Sequence, residues 1–319
     1  MKEDVKYITD FPATDNRYGE DEWYRQHANS IVIINCKSSD IYYPEHWTPL
    51  SIKCAFNGKE FYKFRNTIYA VNDANFLLLN EGNRYESYIN SESITESFTL
   101  NFTRDNIKAL TAFAAHSGDE IIDDPFKEKF SGLNVFEKLY QHNNKTYSYI
   151  NAIKNYYNNG YNDSRQILEI LYLFLDELIH LNKVTSIEID QVQAKKRTTR
   201  IEIYQRLHIA KDYIHSCYYE DISLEELSKI CFLNPFHLLR EFKKYFKITP
   251  HKYLTQIRME EAKRLIEKTS ISLIDIAGEV GFEDVSSFSK LFKSHFGISP
   301  HVYRKGAGSL VENKKGAGT

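Results

Sequence analysis

The sequence predicts an α+β protein: a β-rich sandwich or barrel with accompanying helices, followed by an all-α C-terminal part. Three observations carry this. Short β-favouring runs separated by turn residues occupy positions 31–102. From Ile201 onward the apolar residues recur at helical spacing. Finally, the stretch from Leu224 to Tyr253 reappears at Ile274 to Tyr303, with an offset of 50.

The β-favouring runs are Ile31–Ile34, Ile41–Tyr43, Ser51–Cys54, Thr67–Val71, Phe76–Asn80 and Ser97–Phe102. Between them stand Asn57-Gly58-Lys59, Asn72-Asp73, Glu81-Gly82-Asn83 and Asn90-Ser91, residues that favour turns. Strands so closely spaced suit a sandwich or barrel rather than βαβ units, and Asn57-Gly58 is a hairpin signal. Helices are expected at 104–117 and in parts of 125–149, and Asn162-Asp163-Ser164 offers N-caps for a strong helix from Arg165 to Asn182. The apolar stripe of that last helix is wider than packing on one sheet requires. It is either buried within its domain or pairs with its copy in a dimer. Residues 185–200 read as a linker ending in the basic run Lys195-Lys196-Arg197-Thr198-Thr199-Arg200, which is a solvated connector or a flank that approaches phosphate.

Hydrophobic residues make up 42% and charged residues 26% of the 319, a globular balance rather than a disordered one. The net charge of −2 conceals an asymmetry. Residues 195–305 carry twenty Lys/Arg against fourteen Asp/Glu, while residues 1–194 carry nineteen against twenty-eight. Only the C-terminal part is therefore suited to a polyanion. The first residues lack the apolar core of a signal peptide, and Glu169, Asp176, Glu177 and His180 interrupt the run Ile167–Leu181, so no membrane partner is expected. Cys36, Cys54, Cys217 and Cys231 lack zinc or disulfide spacing. A cytoplasmic protein without cofactor or metal is the expectation.

Ile276 to Lys293 reads as helix, tight turn, helix. Gly281 ends the first helix, Asp284 caps the second, and Phe288, Leu291 and Phe292 bury one face of it. Leu224, Ile230, Phe232, Asn234, Leu238, Arg240, Phe242, Lys243, Phe246, Ile248, Thr249, Pro250, His251 and Tyr253 correspond to Ile274, Val280, Phe282, Asp284, Phe288, Lys290, Phe292, Lys293, Phe296, Ile298, Ser299, Pro300, His301 and Tyr303. One helix-turn-helix motif is used twice. The connector from Pro250 to Lys268 would span roughly 28 Å as a helix, close to the rise of one DNA turn, about 34 Å. Two second helices at its ends would then enter successive major-groove segments. On the first, Phe236, His237, Leu239 and Arg240 stand where base edges come within reach, Arg240 being suited to guanine O6 and N7 and Phe236 or Leu239 to a thymine methyl. Ser286, Ser287 and Lys290 are the counterparts on the second. Lys243, Lys244, Lys247 and Lys293 suit phosphates, which position without reading sequence.

On Ile276-Ala277, Val280-Gly281-Phe282, Asp284, Ser286, Phe288, Phe292-Lys293, Phe296-Gly297-Ile298-Ser299-Pro300 and Tyr303-Arg304, residues 201–305 resemble the AraC/XylS family of bacterial transcription regulators. Cys231 departs from the pattern, standing where the repeat has Gly281. The resemblance implies a C-terminal domain of seven helices at 201–305 with helix-turn-helix motifs at 224–246 and 274–296. It also implies an N-terminal cupin-like barrel at 1–184 that binds an effector and dimerises, with a linker at 185–200 and a disordered tail at 306–319. The layout around Tyr69-Ala70-Val71-Asn72-Asp73 and Leu79-Asn80-Glu81-Gly82 fits that barrel, and Tyr42, Tyr43, His46 and Trp47 are pocket candidates. His27, His46 and His116 are too dispersed for a metal cupin. The implied function is a sequence-specific activator, not an enzyme. Its implied partners are double-stranded DNA, RNA polymerase, a second copy of the chain and a small effector such as a sugar. Two alternatives stay open: a ligand-independent regulator controlled by a protein partner or by abundance, and a cupin-type enzyme fused to DNA-binding helices.

Overall fold

β-Branched and aromatic residues pair the N-terminal runs into one sheet in the computed structural model, which describes residues 4–10, 27, 30–103, 105–108, 135–160 and 164–306. The strands are β1 (Asp4–Ile8), β2 (Ser30–Trp47), β3 (Leu50–Phe56), β4 (Glu60–Phe64), β5 (Thr67–Val71), β6 (Asn75–Leu79), β7 (Arg84–Phe102) and β8 (Leu139–Gln141). The sheet runs β1-β2-β7-β3-β6-β8, with β4 pairing β5 and β7. β1 lies parallel to β2, and the other pairs are antiparallel. Among the described residues this path is open: the strands form one mixed sheet without a pairing that joins its ends.

The spine is the β2–β7 ribbon. Its register slips between Ser38 and Asp40 and again between Tyr43 and His46. Asn90-Ser91, expected as a turn, instead lies inside β7 beside the first slip, where extra residues bulge out of the ladder and imitate turn composition. Asn57-Gly58 turns the chain without making a hairpin. β3 and β4 pair not with each other but with successive stretches of β7. The two-residue hairpin is at Arg65-Asn66, both at positive φ, between the paired residues Phe64 and Thr67.

One sheet face buries Ile31, Ile33, Ile52, Phe76, Phe98 and Leu100 beneath two helices, α1 (Asn144–Asn158) and α2 (Ser164–Asp190). The other face buries Ala55, Tyr62, Tyr69, Val71, Leu77, Leu79 and Tyr85. β3 and β6 are thus covered on both sides, which is why each reads as a continuous apolar run rather than an alternation. α1 is fixed on the sheet by the half-buried pair Lys154–Glu96 at 2.8 Å.

Then come α3 (Arg197–Ser216), α4 (Leu224–Ile230), α5 (Pro235–Phe246), α6 (Pro250–Lys268), α7 (Leu273–Glu279), α8 (Val285–Phe296) and a last helix, α9, at 300–306. The chain divides into two compact units, 1–205 and 206–319. The expected linker at 185–200 is largely helical: α2 runs to Asp190 and α3 begins at Arg197. Some of its residues are held, while Lys195, Lys196, Arg197, Thr198 and Thr199 of the basic run are exposed. Thr185, Ile189 and Val192 are buried, and Arg197 and Arg200 pair with Asp190 at 3.1 and 3.2 Å. The helices expected at 104–117 and 125–149 fall partly outside the described residues, as do the caps Asn162-Asp163, His116 and the tail beyond Gly306.

Candidate nucleic-acid interface

Within the C-terminal unit, two helix-turn-helix motifs are built by the same local chemistry. Ser223 and Ser272 cap α4 and α7 by accepting from the backbone N–H groups of Glu226 and Asp275. Asn234 caps α5 with Pro235 in its first turn, and Asp284 caps α8 by accepting from the Ser287 N–H at 2.7 Å. Each second helix buries two apolar side chains completely, Leu238 and Phe242 in α5, Phe288 and Phe292 in α8. The aromatic contacts behind them repeat as well. Phe242 meets Phe246 at 4.6 Å and Tyr253 at 6.0 Å, while Phe292 meets Phe296 at 4.6 Å and Tyr303 at 5.7 Å.

The offset of 50 does not hold throughout. From the second-helix caps onward it does: Asn234 matches Asp284, and Thr249 matches Ser299. Before that it is 49. Ser223 matches Ser272, and the closing bonds Cys231 N to Leu227 O and Leu233 N to Ser228 O match Val280 N to Ile276 O and Phe282 N to Ala277 O. The second turn is one residue longer. The structural partner of Gly281 is accordingly Phe232, not Cys231: both are left-handed, at φ 82 and 54. Cys231 is a buried counterpart of Val280, and burial pushes its thiol up to about 11.

The candidate contact residues lie on these two second helices, except Lys247, the left-handed residue that ends α5. Phe236 is 83% exposed, and Leu239 is also on the surface, its buried neighbour Leu238 taking the core position. Arg240 projects with a side chain 70% exposed. Lys243, Lys244, Lys247, Ser286, Ser287, Lys290 and Lys293 are exposed, and His237 is half-buried. A residue the sequence reading did not single out stands behind this row. Glu241 is buried, accepts from Arg240 Nε at 3.0 Å and lies 3.7 Å from His237 Nε2. It steadies the guanidinium by its Nε edge while the side chain stays exposed. A Glu beside an Arg on a helix reads as a surface pair, so only the buried position reveals the role. In the second motif Leu291 takes its place.

The N-terminal unit holds a separate polar cluster, on the sheet face away from the helices. Buried Lys53 donates to the Tyr85 hydroxyl at 2.7 Å, and burial lowers its ammonium to about 8. Glu60 beside it is also buried. Desolvation raises its carboxyl, against hydrogen bonds from Ser97 and Tyr62 and the charge of Lys53. Glu60 Oε2 and Asn101 Oδ1 are buried without a hydrogen-bond partner. Of the pocket candidates, His46 joins this cluster, its ring 4.2 Å from Tyr85 and lowered to about 4 by burial. Tyr42 does not, being 57% exposed. Among the described residues no group of His, Cys, Asp or Glu is arranged to hold a metal ion. No helix among them is long and apolar enough to cross a membrane.

Residues 227–306 match a family model described as a helix-turn-helix domain. The lactose operon transcription activator of Staphylococcus xylosus is 33% identical over 148 residues, covering 45% of this chain and 48% of that protein. The Msm operon regulatory protein of Streptococcus mutans is 27% identical over 177 residues, 54% of this chain and 60% of that one. Among solved structures, the C-terminal domain of AraT, a response regulator from Geobacillus stearothermophilus, is 33% identical with a TM-score of 0.31, over 31% of this chain and 84% of that domain. The chain spans less than two thirds of the length of these curated relatives. The C-terminal unit carries a helix-turn-helix domain similar to those of AraC-type regulators, and the relatives it matches are named as transcription regulators.

Proposed function

We propose that the chain is a sequence-specific transcription regulator, an activator, which grips double-stranded DNA with α5 and α8 in successive stretches of the major groove. The observation that carries this is the repeated motif: two capped helices, each with a buried aromatic face and an exposed face of basic and small polar side chains. Arg240, steadied by Glu241, reads a base pair. Phe236, His237 and Leu239 accompany it, with Ser286, Ser287 and Lys290 on the second helix. Lys243, Lys244 and Lys293 hold phosphates. Residues 201–305 form the DNA-binding domain, and residues 1–184 form a cupin-like sensing and dimerising domain. The buried polar cluster around Lys53, Glu60, Tyr62 and Tyr85, with its unpartnered acceptors, suits a hydroxyl-bearing small molecule. The lactose operon activator that the chain resembles favours a sugar.

The test is a pair of substitutions measured on a duplex selected by the full chain. Arg240→Ala should cost about 1–3 kcal/mol and relax preference at one base pair. Lys243→Ala should weaken all sequences alike and reduce the salt slope by about one counterion. A uniform loss for Arg240→Ala would make it a phosphate contact, and failure of the full chain to select any duplex would refute the reading.

A further inference from the structure

Both helix-turn-helix turns are referenced to the same strut, the helix α3 and the residues just after it. In the first motif Arg206 of α3 donates to the Phe232 carbonyl in the turn. In the second, the link runs through Arg258, in the middle of the connector α6. Its Nε donates to the Tyr218 carbonyl at 2.7 Å and its Nη2 to the Glu220 carbonyl at 2.8 Å, immediately beyond the end of α3. The same guanidinium lies 5.5 Å from the Phe282 ring of the second turn. Gly281 seals the junction. A methyl built on its Cα would stand 2.7 Å from the Tyr219 carbonyl and 2.8 Å from Arg258 Nη2, so only glycine lets the turn approach this closely. Tyr218 adds a third tie, its hydroxyl donating to Glu261 of α6 at 3.0 Å.

We infer that Arg258 is a positioning residue for DNA recognition: together with Gly281 it fixes the second recognition helix relative to the first, and so sets the base-pair spacing at which the protein reads its two sequence elements. Three segments converge on one planar cation: the end of α3, the connector and the second turn. Two carbonyls taken by the Nε and Nη2 donors of one guanidinium fix its orientation as well as its place, which an ammonium on a flexible stem cannot do. A connector alone holds the distance between its ends. This clamp adds the rotation, to which helical DNA is sensitive, because one inserted base pair turns the second element about the duplex axis.

The inference rests on the DNA-binding reading, and the experiment separates the two. The full chain selects a duplex from a random-sequence library. Affinities are then measured for that duplex, for versions with one base pair inserted or removed between its two elements, and for duplexes retaining a single element. The wild type is expected to prefer its native spacing by tenfold or more, on the scale of a mismatched base pair. Arg258→Ala, Arg258→Lys and Gly281→Ala are each expected to bind the native spacing less tightly and to discriminate the altered spacings by no more than about twofold. Their affinity for single-element duplexes should stay at the wild-type value. General loss of stability would instead weaken single-element binding in proportion. That outcome, or a spacing preference unchanged in all three variants, overturns the inference while leaving DNA recognition intact. Should Arg258→Ala fail to fold, as circular dichroism would reveal, Arg258→Lys and Gly281→Ala decide the matter by the same readings. If the wild type selects no duplex at all, the underlying reading fails first.

Discussion

The two helix-turn-helix motifs of the C-terminal unit are made from one pattern, yet they spend their conformational freedom differently. In the second, both left-handed positions are glycines, Gly281 in the turn and Gly297 after α8. In the first, the equivalent positions hold side chains, Phe232 at φ 54 and Lys247 at φ 61. A residue with a Cβ is strained there by roughly 1–2 kcal/mol. The first motif also has the shorter turn and the buried Glu241 behind Arg240, where the second has Leu291 behind Lys290. The second motif is thus the relaxed one, docked on the end of α3, and the first accepts strain while presenting the more exposed apolar and guanidinium groups. Strained backbone tends to persist where function over-determines it, which agrees with a larger reading role for the first motif.

The largest expected effect probes what the motifs share. Phe242→Ala and Phe292→Ala remove equivalent, fully buried rings and should each cost about 3–5 kcal/mol in urea unfolding. Costs that differ by more than half would mean that the two aromatic cores are not equivalent. The next effect separates the motifs by sign. Gly281→Ala should destabilise by about 1–2 kcal/mol or more, through both φ and the Tyr219 carbonyl, whereas Phe232→Gly should stabilise by up to about 1 kcal/mol. Thermal midpoints moving in the same direction would show that the one-residue shift is wrong and that Cys231 is the true partner of Gly281. Smaller still, Asn234→Ala should cost about 1 kcal/mol by removing the cap of α5. The least effect is one of pH. Hydrogen bonds from Ser287 hold the Asp284 carboxyl below its ordinary 3.8. Its cap is therefore at full strength above that value and is lost as pH falls through the lowered pKa, while Asn234 does not titrate. Hydrogen exchange at the Ser287 amide should accelerate relative to Phe236 as the medium is acidified through that value; equal changes would deny the capping difference.

Much of the C-terminal unit was legible because its signals are local. A cap, a proline and an aromatic ring at fixed spacing announce a helix whatever surrounds them. The shift in the turn was missed because Phe232 and Phe282 align as aromatics, although one is a left-handed surface residue and the other packs near Arg258. The matching Ile222-Ser223-Leu224 and Ile271-Ser272-Leu273, 49 apart, held the correct register. The N-terminal unit was harder, because its pairings are between distant residues. β4 went unseen since its first residue is a charged Glu60, which is buried only because Lys53 and Tyr62 await it. Nothing in the local sequence says that β7, 19 residues long, continues past Asn90-Ser91 to Phe102 and accepts three different neighbours.

Glu241 has a consequence for how the chain tolerates change at Arg240. Replacing Arg240 by a neutral residue abandons a carboxylate that is 7% exposed, and a buried charge deprived of its partner is costly. Replacing Glu241 alone leaves the guanidinium without its rest. On the proposed reading, recognition by Arg240 is therefore a two-residue property: a single substitution at either site is penalised, and exchanging both together avoids leaving the Glu241 carboxylate buried without its partner. At Lys290 the neighbouring Leu291 carries no charge, so a substitution there abandons no buried carboxylate.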